Sequence, residues 1–337
     1  MVKKVLISLA ALVVIGGVVW FIDRYFFPPS IRQTTDSNLG EISDLVSDEK
    51  KKEDTTDKIV YLSEDDQAKK VVLADLAGKD KKTLFSDAEE EAKIKKIGSL
   101  AYLTNEVLIL AGKSDSVENQ LEVIKTDGSG QKEVIVEAFG TPESLAISPD
   151  GKTVAYVSFS NVEKDYGFSL YTMARDGTNK RLINRGDREM RSLSWNKEGD
   201  KIAFWTTTSE EKTEIQIVEV ESTKNKSIYS SEQNMTSLSW NEEGKIIFGQ
   251  YERDKNTSVI KAINEDGSGQ VKILETTEGV ANFIYLSSDN LNVTFLLTQL
   301  KDGKIEENTN GEIETAKSSG ENLKKIADGF SIAGWLP

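Results

Sequence analysis

Apolar residues in this chain fall into two regimes. Residues 5–22 carry no charge and are apolar apart from Ser8. From Lys58 onward, apolar positions come in short runs with β-type alternation, and clusters of Gly, Asp, Asn or Ser close many of them. Runs of that length and period read as packed strands, and the clusters after them as turns. The first three runs are 59–62, 71–76 and 83–85. The pattern predicts an all-β domain over residues 58–337.

The strands belong to a repeat. The segment Ser-Leu-Ser-Trp-Asn at 192–196 recurs unchanged at 237–241, and both copies continue into a Glu-Gly turn and a second apolar run. The same plan appears at 144–156 with a Pro-Asp-Gly turn, and more loosely at 99–110 and 283–296. With Ser99, Ser144, Ser192, Ser237, Phe283 and Ser331 as equivalent starts, the spacings are 45, 48, 45, 46 and 48 residues. A strand-built period in the mid-forties marks a β-propeller with four strands per blade. Asp-Gly signals at 127–128, 176–177 and 266–267, and a weaker Ser-Gly at 319–320, close the third strands, and a short apolar fourth strand follows each. Small Ser192 and Ser194 suit the crowded axis of a radial array. Trp195, Phe204 and Trp240 read as core filling the widening space between blades.

The two ends fit together. The first repeat, from Lys58, lacks a first strand, whereas residues 330–335 have a first-strand pattern with no further strand after it. If the C-terminal strand completes the N-terminal blade, six blades result and no edge is left open. The strand near Ile332 is therefore expected beside the one at 59–62.

The 144–156 segment, the two Ser-Leu-Ser-Trp-Asn segments and the Asp-Gly-Ser-Gly turns resemble the WD-like repeats of TolB-type six-bladed propellers. The likeness is best over 99–283, looser in the first and last blades, and stops before Lys58. It implies a protein- or peptide-binding module of the bacterial cell envelope. The chain departs from TolB in lacking an N-terminal α/β domain and in carrying the apolar run at 5–22.

Lys3 and Lys4 precede that run. As a helix rising 1.5 Å per residue it would reach about 27 Å, close to the hydrocarbon thickness of a bilayer. Val18, Val19, Trp20, Phe21 and Ile22 stand where a signal peptidase needs small side chains. Residues 1–24 are therefore expected to form an uncleaved signal anchor, a single transmembrane helix with the N-terminus cytoplasmic and the propeller outside the cytoplasm. Residues 25–57 contain Pro28 and Pro29, many charged and hydroxyl side chains and few large apolar ones. They read as a flexible linker.

Composition narrows the chemistry. The 337 residues include no cysteine and no histidine. A Ser-His-Asp triad, a Cys-His pair, a thiolate zinc site and a haem ligand are thereby excluded as self-contained sites. Setting aside the +2 of Lys3, Lys4, Arg24 and Asp23 from the total of −14 leaves −16 on the remainder. Such a domain repels phosphate backbones, so nucleic acid is not an expected partner. The expectation is a non-catalytic, monomeric binding propeller with no cofactor, no catalytic residue and no metal, whose partner is a protein or peptide of the envelope. Two alternatives stay open: a glycan-binding module, and a calcium-dependent hydrolase of lactonase type in which Asn105, Asn196 and Asn241 would approach the axis.

Strands of a blade alternate in direction. Second-to-third-strand connections and blade-to-blade connections therefore emerge on one rim, which collects the long segments 159–167, 184–191, 251–257 and 300–310. Long loops on a rigid scaffold are the usual place for recognition. Five of the eight arginines, Arg175, Arg181, Arg185, Arg188 and Arg191, fall between 175 and 191. Guanidinium groups grip carboxylates and phosphates, and Tyr and Arg are favoured at binding hot spots. The candidate partner site is Arg185, Arg188 and Arg191, with Tyr166, Tyr251 and Arg253 as neighbours. Simple pairing of these arginines with Asp187 and Glu189 is the competing reading.

Overall fold

A computed structural model of the chain describes residues 57–88, 90, 93–101, 105–112, 119–136, 142–276, 279–287, 291–300 and 311–336. The anchor expected at 1–24 lies outside these residues, as does the expected linker apart from Asp57.

The described residues form six antiparallel sheets of four strands each. The first blade contains Lys58–Glu64 (β1), Lys69–Asp75 (β2) and Lys82–Ser86 (β3). The second contains Lys93–Ala101 (β4), Glu106–Gly112 (β5), Asn119–Lys125 (β6) and Lys132–Val136 (β7). Ser144–Ile147 (β8), Thr153–Ser160 (β9), Gly167–Ala174 (β10) and Arg181–Gly186 (β11) make the third. The fourth is Met190–Trp195 (β12), Lys201–Thr207 (β13), Thr213–Glu219 (β14) and Asn225–Ser231 (β15). Asn234–Trp240 (β16), Lys245–Glu252 (β17), Thr257–Asn264 (β18) and Val271–Glu275 (β19) make the fifth. The sixth is Val280–Leu286 (β20), Asn292–Thr298 (β21), Gly311–Lys317 (β22) and Lys324–Gly329 (β23).

Ser331–Leu336 (β24) returns to the first blade, pairing Ile59 with Trp335, Tyr61 with Ile332 and Leu62 with Ser331. The expected closure is present. Each inner strand packs against the inner strands of both neighbouring blades, in the cyclic order β24, β4, β8, β12, β16, β20. Six blades thus close a ring of residues 58–336.

The core is six apolar layers, one in each gap between blades. Second strands are covered on both faces, which is why β5 is buried along its whole length and reads as a continuous apolar run. Trp195 and Phe204 lie in the layer between the third and fourth blades, Trp240 packs against the next layer, and Trp335 lies in the layer that joins the last blade to the first. Trp195, Phe204 and Trp240 fill the space between blades, as expected.

The repeat starts mark something other than strand starts. In four blades two consecutive inner-strand residues stand opposite one on the second strand: Gly98 and Ser99, Ser192 and Leu193, Thr236 and Ser237, Phe283 and Ile284. Each pair is a bulge, which bends the strand and removes a ladder partner. The preceding blade satisfies two of the displaced amides. Leu193 N donates to Ser144 Oγ at 3.3 Å, and Ile284 N donates to Ser237 Oγ at 3.2 Å. Ser239 Oγ donates to Ile284 O at 2.6 Å, and Trp240 N donates to Ser194 Oγ at 2.8 Å. The inner-strand serines are therefore small because the axis is crowded, and polar because they bond one blade to the next.

Third-to-fourth-strand turns lean on the preceding blade. Gly267 has φ +87°, and a Cβ placed there would lie 2.6 Å from the Ile228 carbonyl oxygen of β15. Only a glycine meets both conditions without strain. Arg175 makes a polar contact of the same direction, bridging from the third blade to Glu106 and Glu133 of the second.

Candidate binding rim

Two kinds of connection divide the ends of the ring. One end carries the short Gly-containing turns. The other carries the second-to-third-strand and blade-to-blade connections, including residues 161–166 and 187–189 of the candidate site. Of the longest segment expected there, residues 301–310 lie outside the described residues.

An aromatic shelf stands on the third blade. Phe159 and Phe168 face each other across β9 and β10 with ring centroids 4.8 Å apart, and Phe168 packs into the layer beneath. Tyr166 meets Phe159 edge to face at 5.8 Å. The side chains remain open to solvent: Phe159 is 43% exposed, Val162 59% and Tyr166 62%. Gly167, with φ +120°, places the shelf against the next connection, since a Cβ there would lie 2.5 Å from Gly186 O and 3.6 Å from Asp187 Cα.

The arginines do not lie in one loop. Segment 184–191 is mostly strand, with only residues 187–189 connecting, because Arg185 continues the β11 ladder opposite Ser169. Arg185 Nε donates to Ser169 Oγ at 3.1 Å. β11 is the outermost strand of its blade and β12 the innermost of the next. The connection therefore crosses the rim, with Arg185 at the periphery, Arg191 near the axis and Arg188 between them. Arg188 is exposed and makes no ion pair or hydrogen bond among the described residues. Arg191 Nε donates to Glu189, and its guanidinium lies 5.9 Å from the Trp205 ring centroid. Trp205 Nε1 donates to Ser192 Oγ at 3.3 Å.

The expected neighbours divide. Tyr166 joins the shelf, while Arg188 stands exposed in the connection that Gly167 abuts. Tyr251 is 8% exposed and its hydroxyl donates to Asn256 Oδ1 at 2.9 Å, so it braces the turn and does not present a ring to a partner. Arg253 is exposed in that turn, on the fifth blade. Phe159, Val162 and Trp205 were missed as candidates. Phe159 and Val162 lay within the long segment 159–167 but carry no charge or hydroxyl to single them out, and Trp205 fits a strand pattern.

Asn196 and Asn241 serve the opposite end. Asn196 Oδ1 accepts from the amides of Asp200 and Lys201 at 3.0 and 2.9 Å, and Asn241 Oδ1 accepts from Lys245 N at 2.7 Å. Their carbonyl oxygens are used in closing turns. Among the described residues no three carboxylates converge into a metal-binding group. A cleft of about 370 Å³ on the short-turn end lies between the second and third blades, lined by Glu133, Lys152 and Arg175 among others. Arg175, half-buried there, is held by Glu106 and Glu133.

The fold has solved counterparts. TolB from Acinetobacter baumannii superposes with a TM-score of 0.65 at 15% identity, over 89% of this chain and 73% of that one. A TolB from Agrobacterium tumefaciens gives 0.63 at 12% identity, over 82% and 91%. The chain has the six-bladed TolB-type propeller fold. An oligogalacturonate lyase in complex with manganese also matches, with a TM-score of 0.50 at 10% identity over 80% of this chain and 73% of that one. At these identities the likeness carries architecture alone, and the architecture serves an enzyme as well as TolB. No family model matches the chain, and no curated protein sequence does.

Proposed function

We propose that this chain is a non-catalytic, protein- or peptide-binding propeller of the cell envelope, held at the membrane by residues 1–24. The observation that carries the binding reading is the exposed ring pair Phe159 and Tyr166 on the long-connection rim, with exposed Val162 in the same connection and Arg188 exposed in the connection that Gly167 abuts. Large exposed rings and guanidinium groups are the side chains that dominate protein interfaces. They sit here on a closed ring that holds them in place, so little ordering is needed on binding. The TolB-type fold supports a partner in the envelope. Supporting the anchor are the uncharged, largely apolar run at 5–22 and the lysines before it; no helix among the described residues is long and apolar enough to cross a membrane.

Site-specific photocrosslinking in cells tests the reading. A photoreactive side chain at position 166 should give a discrete adduct, whereas one at Lys224, in a short turn of the opposite end, should not. Adducts from position 224 alone, or from neither, would contradict it. Membrane fractionation tests the anchor: the chain should stay with membranes through alkaline carbonate extraction, and deletion of residues 1–24 should release it.

A further inference from the structure

We draw no further inference here: the strongest candidate, the cleft between the second and third blades at the short-turn end, is lined by Lys152 and Arg175 against Glu133 and Asp176, so its charge selects no class of ligand and nothing in the structure shows what covers it.

Discussion

Replacing Trp335 by alanine probes the closure of the ring at one side chain. Trp335 lies on β24, opposite Ile59, in the layer shared with Tyr61, Leu296 and Ile313. Truncating a buried tryptophan costs about 3–5 kcal/mol in lost burial and residual cavity. Domains of this kind hold about 5–15 kcal/mol in total, so the change removes a large fraction of their stability. For a domain of this size the loss corresponds to a fall in midpoint of roughly 6–15 °C. Thermal unfolding followed by far-ultraviolet circular dichroism should show it, in a single transition. Trp335 Nε1 is buried without a hydrogen-bond partner among the described residues. Trp335→Phe should therefore recover most of the loss, since it keeps an aromatic ring and removes an unpaired donor. A Trp335→Ala midpoint within a degree of the parent, or a small early transition followed by an unchanged main one, would show that β24 is an appendage and that the ring does not depend on it.

Three further outcomes follow from the packing. Glu314 is half-buried with Oε2 unpaired among the described residues, and burial, then the charge of Glu312, raises its carboxyl above the usual range. A raised carboxyl destabilises the fold at neutral pH and stops doing so as pH falls through its folded value, so Glu314→Gln should raise the melting midpoint at pH 7, with the gain shrinking in acid; no gain at pH 7 would refute this. The Tyr61 hydroxyl is pushed up to about 12 by burial and by Asp328. The unfolded chain then ionises first, and stability should fall by roughly 2 kcal/mol between pH 10 and 12, a loss that denaturant titration should find reduced in Tyr61→Phe. Gly267→Ala should cost about 2 kcal/mol or more, because it adds a contact with Ile228 O to the strain of positive φ. Gly244→Ala, with φ +78° and no atom within 4 Å of the added carbon, should cost about half as much.

Most of the ring was legible because its causes are local and repeated. Alternation in runs such as 59–62 identifies strands, Gly267 and its counterparts identify turns, and a fixed period identifies blades. Closure by Ile332 and Trp335 was legible because an open edge is unfavourable. The bulges were not. Ser192 and Phe283 look like strand residues, and the displaced amides beside them, Leu193 N and Ile284 N, are met by Ser144 and Ser237 more than 45 residues away in the preceding blades. The rim was half legible. Chain direction placed the long connections on one end, and the backbone at Gly167 abuts Gly186 and Asp187 there. Tyr251 was misjudged as a free ring because its burial depends on Asn256, in the turn that follows. Arg185 was taken for a loop residue because nothing in its own stretch shows that the β11 ladder extends to Gly186.

The central claim, that a partner is held on the long-connection rim of a non-catalytic propeller, is tested most directly on the partner captured by crosslinking from position 166. Its affinity should be compared between the parent chain and the combined Arg185→Ala, Arg188→Ala and Arg191→Ala variant. The account predicts at least about a tenfold weaker Kd with an unchanged melting midpoint, as expected when exposed hot-spot side chains are removed from an intact scaffold. An unaltered Kd in that variant, with affinity lost instead on substitution of Lys152 or Lys224 at the short-turn end, would contradict it.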